Sequence, residues 1–307
     1  MELSTRVPTI KTRFLILSDT HGHDLHDYSA YRADVAIHCG DLTTESKRRE
    51  FVSAINLSKT LDTPLKLVIA GNHDFILDIP MFQKKVTEVI TPLDPALVQK
   101  EYGDYGEIRK LFEDARESGI ILLEEGTYDF KLQNDARLKI YASPYTPSLG
   151  DWGFQYHPET GHMFDIETDT DVVVTHGPPR GILDMTYSGG RAGCPRLFEA
   201  IARARPKMHC FGHIHEGWGA KLVGWREKVS KNPSHLTDID NGRSVMVRKL
   251  SQIKQDIPAI ESSHCAGDEN SLEVGIHTLF VNAALEGSEE LPIHPVWQID
   301  LELPRQI

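Results

Sequence analysis

The chain has 307 residues, 40% of them hydrophobic and 25% charged, a balance ordinary for a soluble globular protein with a full core. A formal net charge of −12 argues against a long basic groove for nucleic acid, though a small phosphate ligand remains compatible, because bound cations reverse the local field. Four cysteines, at 39, 194, 210 and 265, form no CxxC pair and read as buried reduced thiols.

Met1 to Arg13 lacks an apolar signal core, and no segment approaches the roughly 18 apolar residues of a membrane span. A cytoplasmic protein that does not engage membranes is expected. Phe14–Ser18 is a short apolar run ending at Asp19, and Asp34–His38 is a second, ending at Gly40-Asp41. Glu45 to Leu61 has helical spacing, with Phe51, Ile55 and Leu61 on one side. Leu65–Ala70 is a third strand, ending at Gly71-Asn72. The alternation predicts a mostly parallel sheet with ligands at carboxyl ends of strands.

Asp94-Pro95 reads as a helix start, with a helical stretch to about Ser118, broken near Gly103–Gly106. Segments 120–123, 127–132 and 138–141 read as shorter strands in antiparallel style. Val172–Thr175 is a buried strand ending in His176, and Cys194–Ala204 is helical. Lys207–Phe211 delivers Gly212-His213-Ile214-His215. Residues 225–275 are polar, carry turn signals at Asn232-Pro233 and Asn241-Gly242, and read as a surface insertion within one domain spanning 1–307. The core pattern resumes at 276–281 and 295–301.

The strand ends gather Asp19, His21, Asp41, Asn72, His176, His213 and His215: oxygen and imidazole donors without thiolate. That set suits two divalent cations of the Mn, Fe or Zn type, and such a pair splits phosphate esters. Asp19 and His21 share i, i+2 spacing, which in an extended segment points both side chains one way; His213 and His215 repeat it. Asp41 has two oxygens and can bridge. Asn72 offers a neutral oxygen. His73 follows it and is placed to give a proton to a leaving alkoxide, with Asp74 holding the ring. Asn72 and His73, with His23, Trp152 and Arg191, are candidates for substrate contact; Ser18 and His38 for support behind the ligands. Trp152 and Phe154 read as well as core as they do as stacking faces.

These motifs resemble the calcineurin-like metallophosphoesterase superfamily, whose pattern is D-x-H, G-D, G-N-H-[DE], H and G-H-x-H. Segments 34–43, 68–74, 141–154, 175–179 and 209–219 resemble its MPPED group of class III phosphodiesterase-like proteins. The resemblance implies an α/β fold in which two sheets form a sandwich flanked by helices. It also implies a dinuclear phosphodiesterase site for small phosphodiesters, cyclic nucleotides among them, working by attack of a metal-bridged hydroxide. Asp19, His21 and His215 would hold one metal, Asn72, His176 and His213 the other, with Asp41 between them. Manganese is the metal to assay with. Some animal members depart from His at the position of His213, so its presence here favours full activity. A phosphomonoesterase or protein phosphatase, and a nucleotide-binding scaffold with weak catalysis, remain alternatives. Oligomeric state stays open.

Overall fold

The computed structural model describes residues 8–23, 27–253, 257–289 and 291–306. Of the N-terminal stretch read for a signal core, residues 1–7 therefore lie outside the described residues, as do 254–256 of the 225–275 stretch.

The chain forms β1 (Thr9–Leu17), β2 (Val35–His38), α1 (Arg48–Thr60), β3 (Leu65–Val68), α2 (Ile79–Glu88), α3 (Pro95–Tyr102), α4 (Glu107–Asp114), β4 (Ile120–Leu122), β5 (Gly126–Lys131) and β6 (Arg137–Ser143). Next come β7 (Thr146–Pro147), β8 (Gln155–Tyr156), β9 (Val172–Thr175), α5 (Pro195–Ala204), β10 (Met208–Phe211), β11 (Gly219–Trp225), β12 (Ile239–Lys249), β13 (Ala259–Ser263), β14 (His277–Asn282) and β15 (Val296–Pro304). One sheet has the order β13-β15-β1-β2-β3-β4 and the other β12-β11-β14-β10-β9-β6-β5.

The central strands β2, β9 and β10 are buried along their whole length because both faces are covered. Phe14 and Ile16 enter the core between the sheets, while the alternate residues Leu15 and Leu17 pack outside with Tyr28 and Val296. Helix α1 buries Phe51, Ala54, Ile55 and Ser58, one stripe at helical spacing, against the outer face of the first sheet beside Phe82, Ile108 and Phe112. Glu50 accepts the Lys47 N–H at 2.9 Å, so the helix begins three residues later than its spacing predicts. Helix α5 covers the second sheet with Leu197, Phe198 and Ile201.

The predicted break between α3 and α4 is there, with Gly103 and Gly106 both at positive φ. The antiparallel reading of 120–141 holds only for β5 with β6. β4 pairs in parallel with β3, and β6 in parallel with β9.

The stretch read as a surface insertion contributes sheet: β12 extends one edge of the second sheet and β13 one edge of the first. Edge strands show one face to water, so their polar residues hid the pattern. The Asn241-Gly242 signal is not a hairpin turn. It forms a bulge inside β12, where Gly224 pairs with Asp240 but Leu222 with Val245. All four cysteines are buried and unpaired. Among the described residues no helix is long and apolar enough to cross a membrane.

Candidate metal centre

β1, β2 and β3 run parallel in one sheet, and β9 and β10 run parallel in the other. Their carboxyl ends therefore open on one side of the sandwich. There the loops are stitched across strands: the Asp19 N–H donates to Gly40 O at 2.9 Å, the His21 N–H to Asp41 O at 3.1 Å, and the Gly212 N–H to His176 O at 2.9 Å.

Two side-chain groups result. Asp19, His21 and His215 present donor atoms within 4.8 Å of one another, and so do Asp41, His176 and His213. A third such group, His21, Asp41 and His73, overlaps both. Asp41 is the joint: its Oδ2 lies 3.2 Å from His176 Nε2 and 3.9 Å from His21 Nε2. Its Oδ1 accepts the His73 N–H at 2.8 Å, and both Asp19 oxygens lie near 3 Å from the His213 N–H.

The local backbone is strained to achieve this. Asp19 (φ 54°), His21 (φ 46°), Asp41 (φ 53°) and His213 (φ 67°) all adopt the left-handed region. Each such residue costs on the order of 1 kcal/mol or more, a cost that proteins concentrate at functional sites. The i, i+2 pairs are therefore not carried on extended segments. Asp19 and His21 do meet, but by way of two left-handed residues, while His213 and His215 go to different groups. Close approach also explains two glycines. A Cβ on Gly40 would lie 2.7 Å from His176 Nδ1, and one on Gly212 would collide with the Asp19 carboxylate and the Ser18 hydroxyl.

The ring tautomers point lone pairs inward. His21 Nδ1–H donates to Thr43 O at 2.9 Å and His176 Nδ1–H to Cys39 O at 3.0 Å. In each neutral ring Nε2 is left without hydrogen, facing carboxylate oxygens. His21 Nε2 is buried; Glu286 Oε2 stands 3.0 Å away but off the hydrogen-bond direction, so the atom has no hydrogen-bond partner. His176 Nε2 faces Asn72 Oδ1 at 3.0 Å as well as Asp41. Acceptors converging on acceptors fit a cation between them.

Charge follows the same geometry. Burial pushes Asp19 up, but the hydrogen bond and charge of His215, with His176 and His21, hold it well below the usual carboxylate range. Asp41, also opposed by burial, is held down at about 2 by His176. Burial works against charging His21 and His176 too, yet their carboxylate neighbours raise them to about 10 and about 9. His213 is lowered to about 4 by burial and by His176.

The sequence profile of calcineurin-like phosphoesterases matches residues 12–217, every strand-end motif included. The chain belongs to the calcineurin-like phosphoesterase family. It is 31% identical over 220 residues to the human metallophosphoesterase domain-containing protein 1, covering 69% of this chain and 63% of that one. It is 30% identical over 233 residues to UPF0046 protein K07C11.7 of Caenorhabditis elegans, covering 71% of this chain and 69% of that one. A protein of Emericella nidulans named probable rhamnogalacturonate lyase C is 33% identical over 218 residues, 69% of this chain but 18% of its own length. The chain thus spans under two thirds of the fungal and human relatives. Family membership implies divalent metal ions, and the donor set just described fits them.

His73 and Asp74 divide differently from the sequence reading. Asp74 does not hold the His73 ring. Its oxygens accept from the Leu42, Thr43 and Gly71 N–H groups and from Thr43 Oγ1, at 2.8–3.1 Å, so it ties the Asp41 loop to the Asn72 loop. Burial and the charge of Asp41 push it up to about 7 against those four donors. The His73 ring is instead held by Nδ1–H donating to Thr44 O at 2.7 Å, with Trp152 packed 4.2 Å away.

Arg191 is not free for a phosphate, because its guanidinium pairs with the buried Asp184 at 2.6 Å and so braces its own loop. His23 is exposed beside the site, its N–H bonded to Thr20 O at 2.9 Å. Ser18 and His38 do stand behind the donors: Ser18 Oγ donates to Gly40 O at 3.2 Å, and His38 bridges the Gly40 N–H and Thr20 Oγ1. Phe154 packs with Tyr145, rings 5.9 Å apart.

Sequence reasoning missed two residues. Glu286 meets His21 at the mouth of the site, and Asn282 clamps the histidine loop by donating from Nδ2 to Ile214 O at 2.9 Å. Asn282 ends β14 and Glu286 follows it four residues on; the apolar run of β14 was legible as a strand, and the amide at its end and the acid just beyond were the available signal.

Proposed function

We propose that this chain hydrolyses small phosphodiesters at a two-cation site. Asp19, His21 and His215 would hold one cation and Asn72, His176 and His213 the other, with Asp41 shared. The observation that carries the reading is the pair of histidine–carboxylate groups joined at Asp41, with His73 reaching the same space. Bound divalent cations supply Lewis-acid charge and lower the pKa of water towards about 7. The chain's own residues do the rest. His73, its Nδ1–H fixed on Thr44 O, carries a proton on Nε2 to the departing oxygen. Asn72, with Oδ1 turned to the ligand side, can donate its Nδ2 hydrogens to a phosphoryl oxygen. Asp74 keeps the Asp41 and Asn72 loops in register.

The charge around the mouth favours a diester over a monoester. Glu286 adds a carboxylate beside His21, and Arg191, the basic residue the sequence offered, is committed to Asp184. A phosphodiester brings one negative charge near neutral pH, and a monoester close to two. Cyclic nucleotides fall within the diester class.

The test uses bis(4-nitrophenyl) phosphate and 4-nitrophenyl phosphate with added manganese. At least tenfold higher kcat/KM on the diester is expected. Preference for the monoester would favour a phosphatase, and nucleotide binding without turnover of either would favour a scaffold. A chiral phosphorothioate diester is expected to invert at phosphorus, whereas retention would sink direct attack by water.

A further inference from the structure

We infer, resting on the reading of His73 as the proton donor, that the substrate is a phosphodiester whose leaving group carries an alkyl chain, and that an apolar groove reached from His73 past Trp152 and Phe75 binds that chain. In hydrolysis, water gives a proton to solvent and its oxygen bonds to phosphorus, the bond from phosphorus to the leaving oxygen breaks, that oxygen takes the His73 proton, and His73 regains a proton from solvent. The leaving group therefore lies on the His73 side of the phosphorus.

What the fold puts on that side is apolar. The His73 ring is 4.2 Å from Trp152, Trp152 is 5.9 Å from Phe75, Phe75 is 6.2 Å from Phe82, and Phe82 is 5.2 Å from Tyr102. Phe75, Phe82 and Tyr102 then line an open groove of about 380 Å³, walled by Val86, Val89 and Leu93. The surrounding stretch of chain has the same character. Val89 and Leu93 of the groove wall, with Leu97 and Tyr105, are 41–52% exposed and Ile90 fully so, a third of the exposed large hydrophobic residues among those described, gathered between residues 89 and 105. Helix α3, within that stretch, buries none of its residues.

An alkyl chain suits this lining better than a nucleobase. The polar groups of the groove are Lys85, Glu88 and Asp151, and Lys85 pairs with Asp151 at 3.6 Å while capping the Phe75 and Trp152 rings at 5.4 and 5.3 Å. Little is left to read a base edge. A chain needs only apolar walls and a way out, which the open groove provides.

The experiment is a series of methyl 4-alkylphenyl phosphates, from 4-methyl to 4-octyl, assayed with manganese below their micelle concentrations. Alkyl length barely changes the phenol pKa, so kcat/KM reads the groove. A fully buried methylene is worth a factor of about 4, and in a half-open groove the octyl compound is expected to be at least about tenfold better than the methyl. Leu93→Asp and Val89→Asp should collapse that ratio to within about twofold, while Leu93→Met keeps it. A flat wild-type series, or a ratio untouched by either Asp variant, overturns the inference and leaves the diesterase reading standing. If only the matching 4-alkylphenyl monoesters are cleaved, the diesterase reading falls and the same ratio on monoesters decides the groove. If none is cleaved, calorimetry with 4-octylphenol and 4-methylphenol decides it: at least tenfold tighter octyl binding supports the groove, and equal binding sinks it.

Discussion

The two halves of the candidate metal centre are built from similar atoms and charged differently. One half has Asp19, His21 and His215, with Glu286 at its mouth; the other has His176, His213 and the neutral Asn72; they share Asp41. The contrast is sharpest between His213 and His215, two residues apart on one loop. His215 lies 3.3 Å from Asp19, and its pKa is raised by that carboxylate and by Glu286 against the opposing effect of burial. His213 is lowered to about 4 by burial first and then by His176, whose ring packs edge-on with centroids 4.9 Å apart. Burial together with what an imidazole faces, and not the motif it sits in, sets its charge. The first half thus has two raised imidazoles, His21 and His215, and the second has one, His176, beside neutral His213 and Asn72.

The most disruptive way to test this division is to remove what the halves share. Asp41→Asn deletes one carboxylate charge from both and should cost at least about a thousandfold in kcat, with metal content by mass spectrometry or atomic absorption falling at both positions. Loss of one metal equivalent only would mean that Asp41 belongs to one half. His73→Ala is the next largest. It should cost roughly a hundredfold to ten-thousandfold in rate while metal content stays at the wild-type level. If metal is lost as well, His73 is a ligand and the proton-donor role is wrong.

Much of this site was legible because strand ends are legible. Apolar runs such as 172–175 and 65–70 announce their own termini, and a His, Asp or Asn just beyond them is placed before any contact is known. The chain path past those termini was not. The left-handed turns at Asp19, His21, Asp41 and His213 depend on hydrogen bonds from one loop to the next, which local spacing does not encode. Adjacency misled for Asp74, which sits beside His73 in sequence but turns into the protein. Glu286 was hidden for another reason: it reaches the site through the bridge between Ser18 and Ala284, a tertiary contact with no motif. At the edges of the fold, β12 and β13 were hidden by their half-solvated, polar character, and the Gly242 bulge imitated a turn.

Proton competition sharpens the comparison further. A cation taking His21 and His215 must displace a proton from each raised imidazole. A cation taking His176 and His213 displaces only one, from His176, raised to about 9, because His213 at about 4 is already neutral. Each displaced proton makes affinity fall about tenfold per pH unit below the raised pKa. As pH drops from about 8 to 6, the second half should therefore weaken about tenfold per unit through His176, and the first by at least that through His21, falling more steeply once the raised His215 also takes up its proton. Metal retention after dialysis at stepped pH should show one equivalent leaving before the other, and proton release on loading at pH 7 should reach at least about two per pair, from His21 and His176. A single transition, with both equivalents lost together, would break the division.

The smallest effect is expected where the difference between the halves is most easily edited. Glu286→Gln keeps the shape of the side chain and removes its charge, 3.0 Å from His21 Nε2. Its carboxylate is 40% exposed, so water screens much of its influence, and a few-fold change is the scale to look for. Two consequences pull apart. With one negative charge gone, the first half should hold its cation a few-fold more weakly at pH 8, while the second is unchanged. A doubly charged monoester should meanwhile gain on the diester in kcat/KM by a similar factor, because repulsion at the mouth is relieved. If metal affinity drops without a shift in the monoester-to-diester ratio, Glu286 acts on the cation alone, and the electrostatic argument for diester preference loses its support.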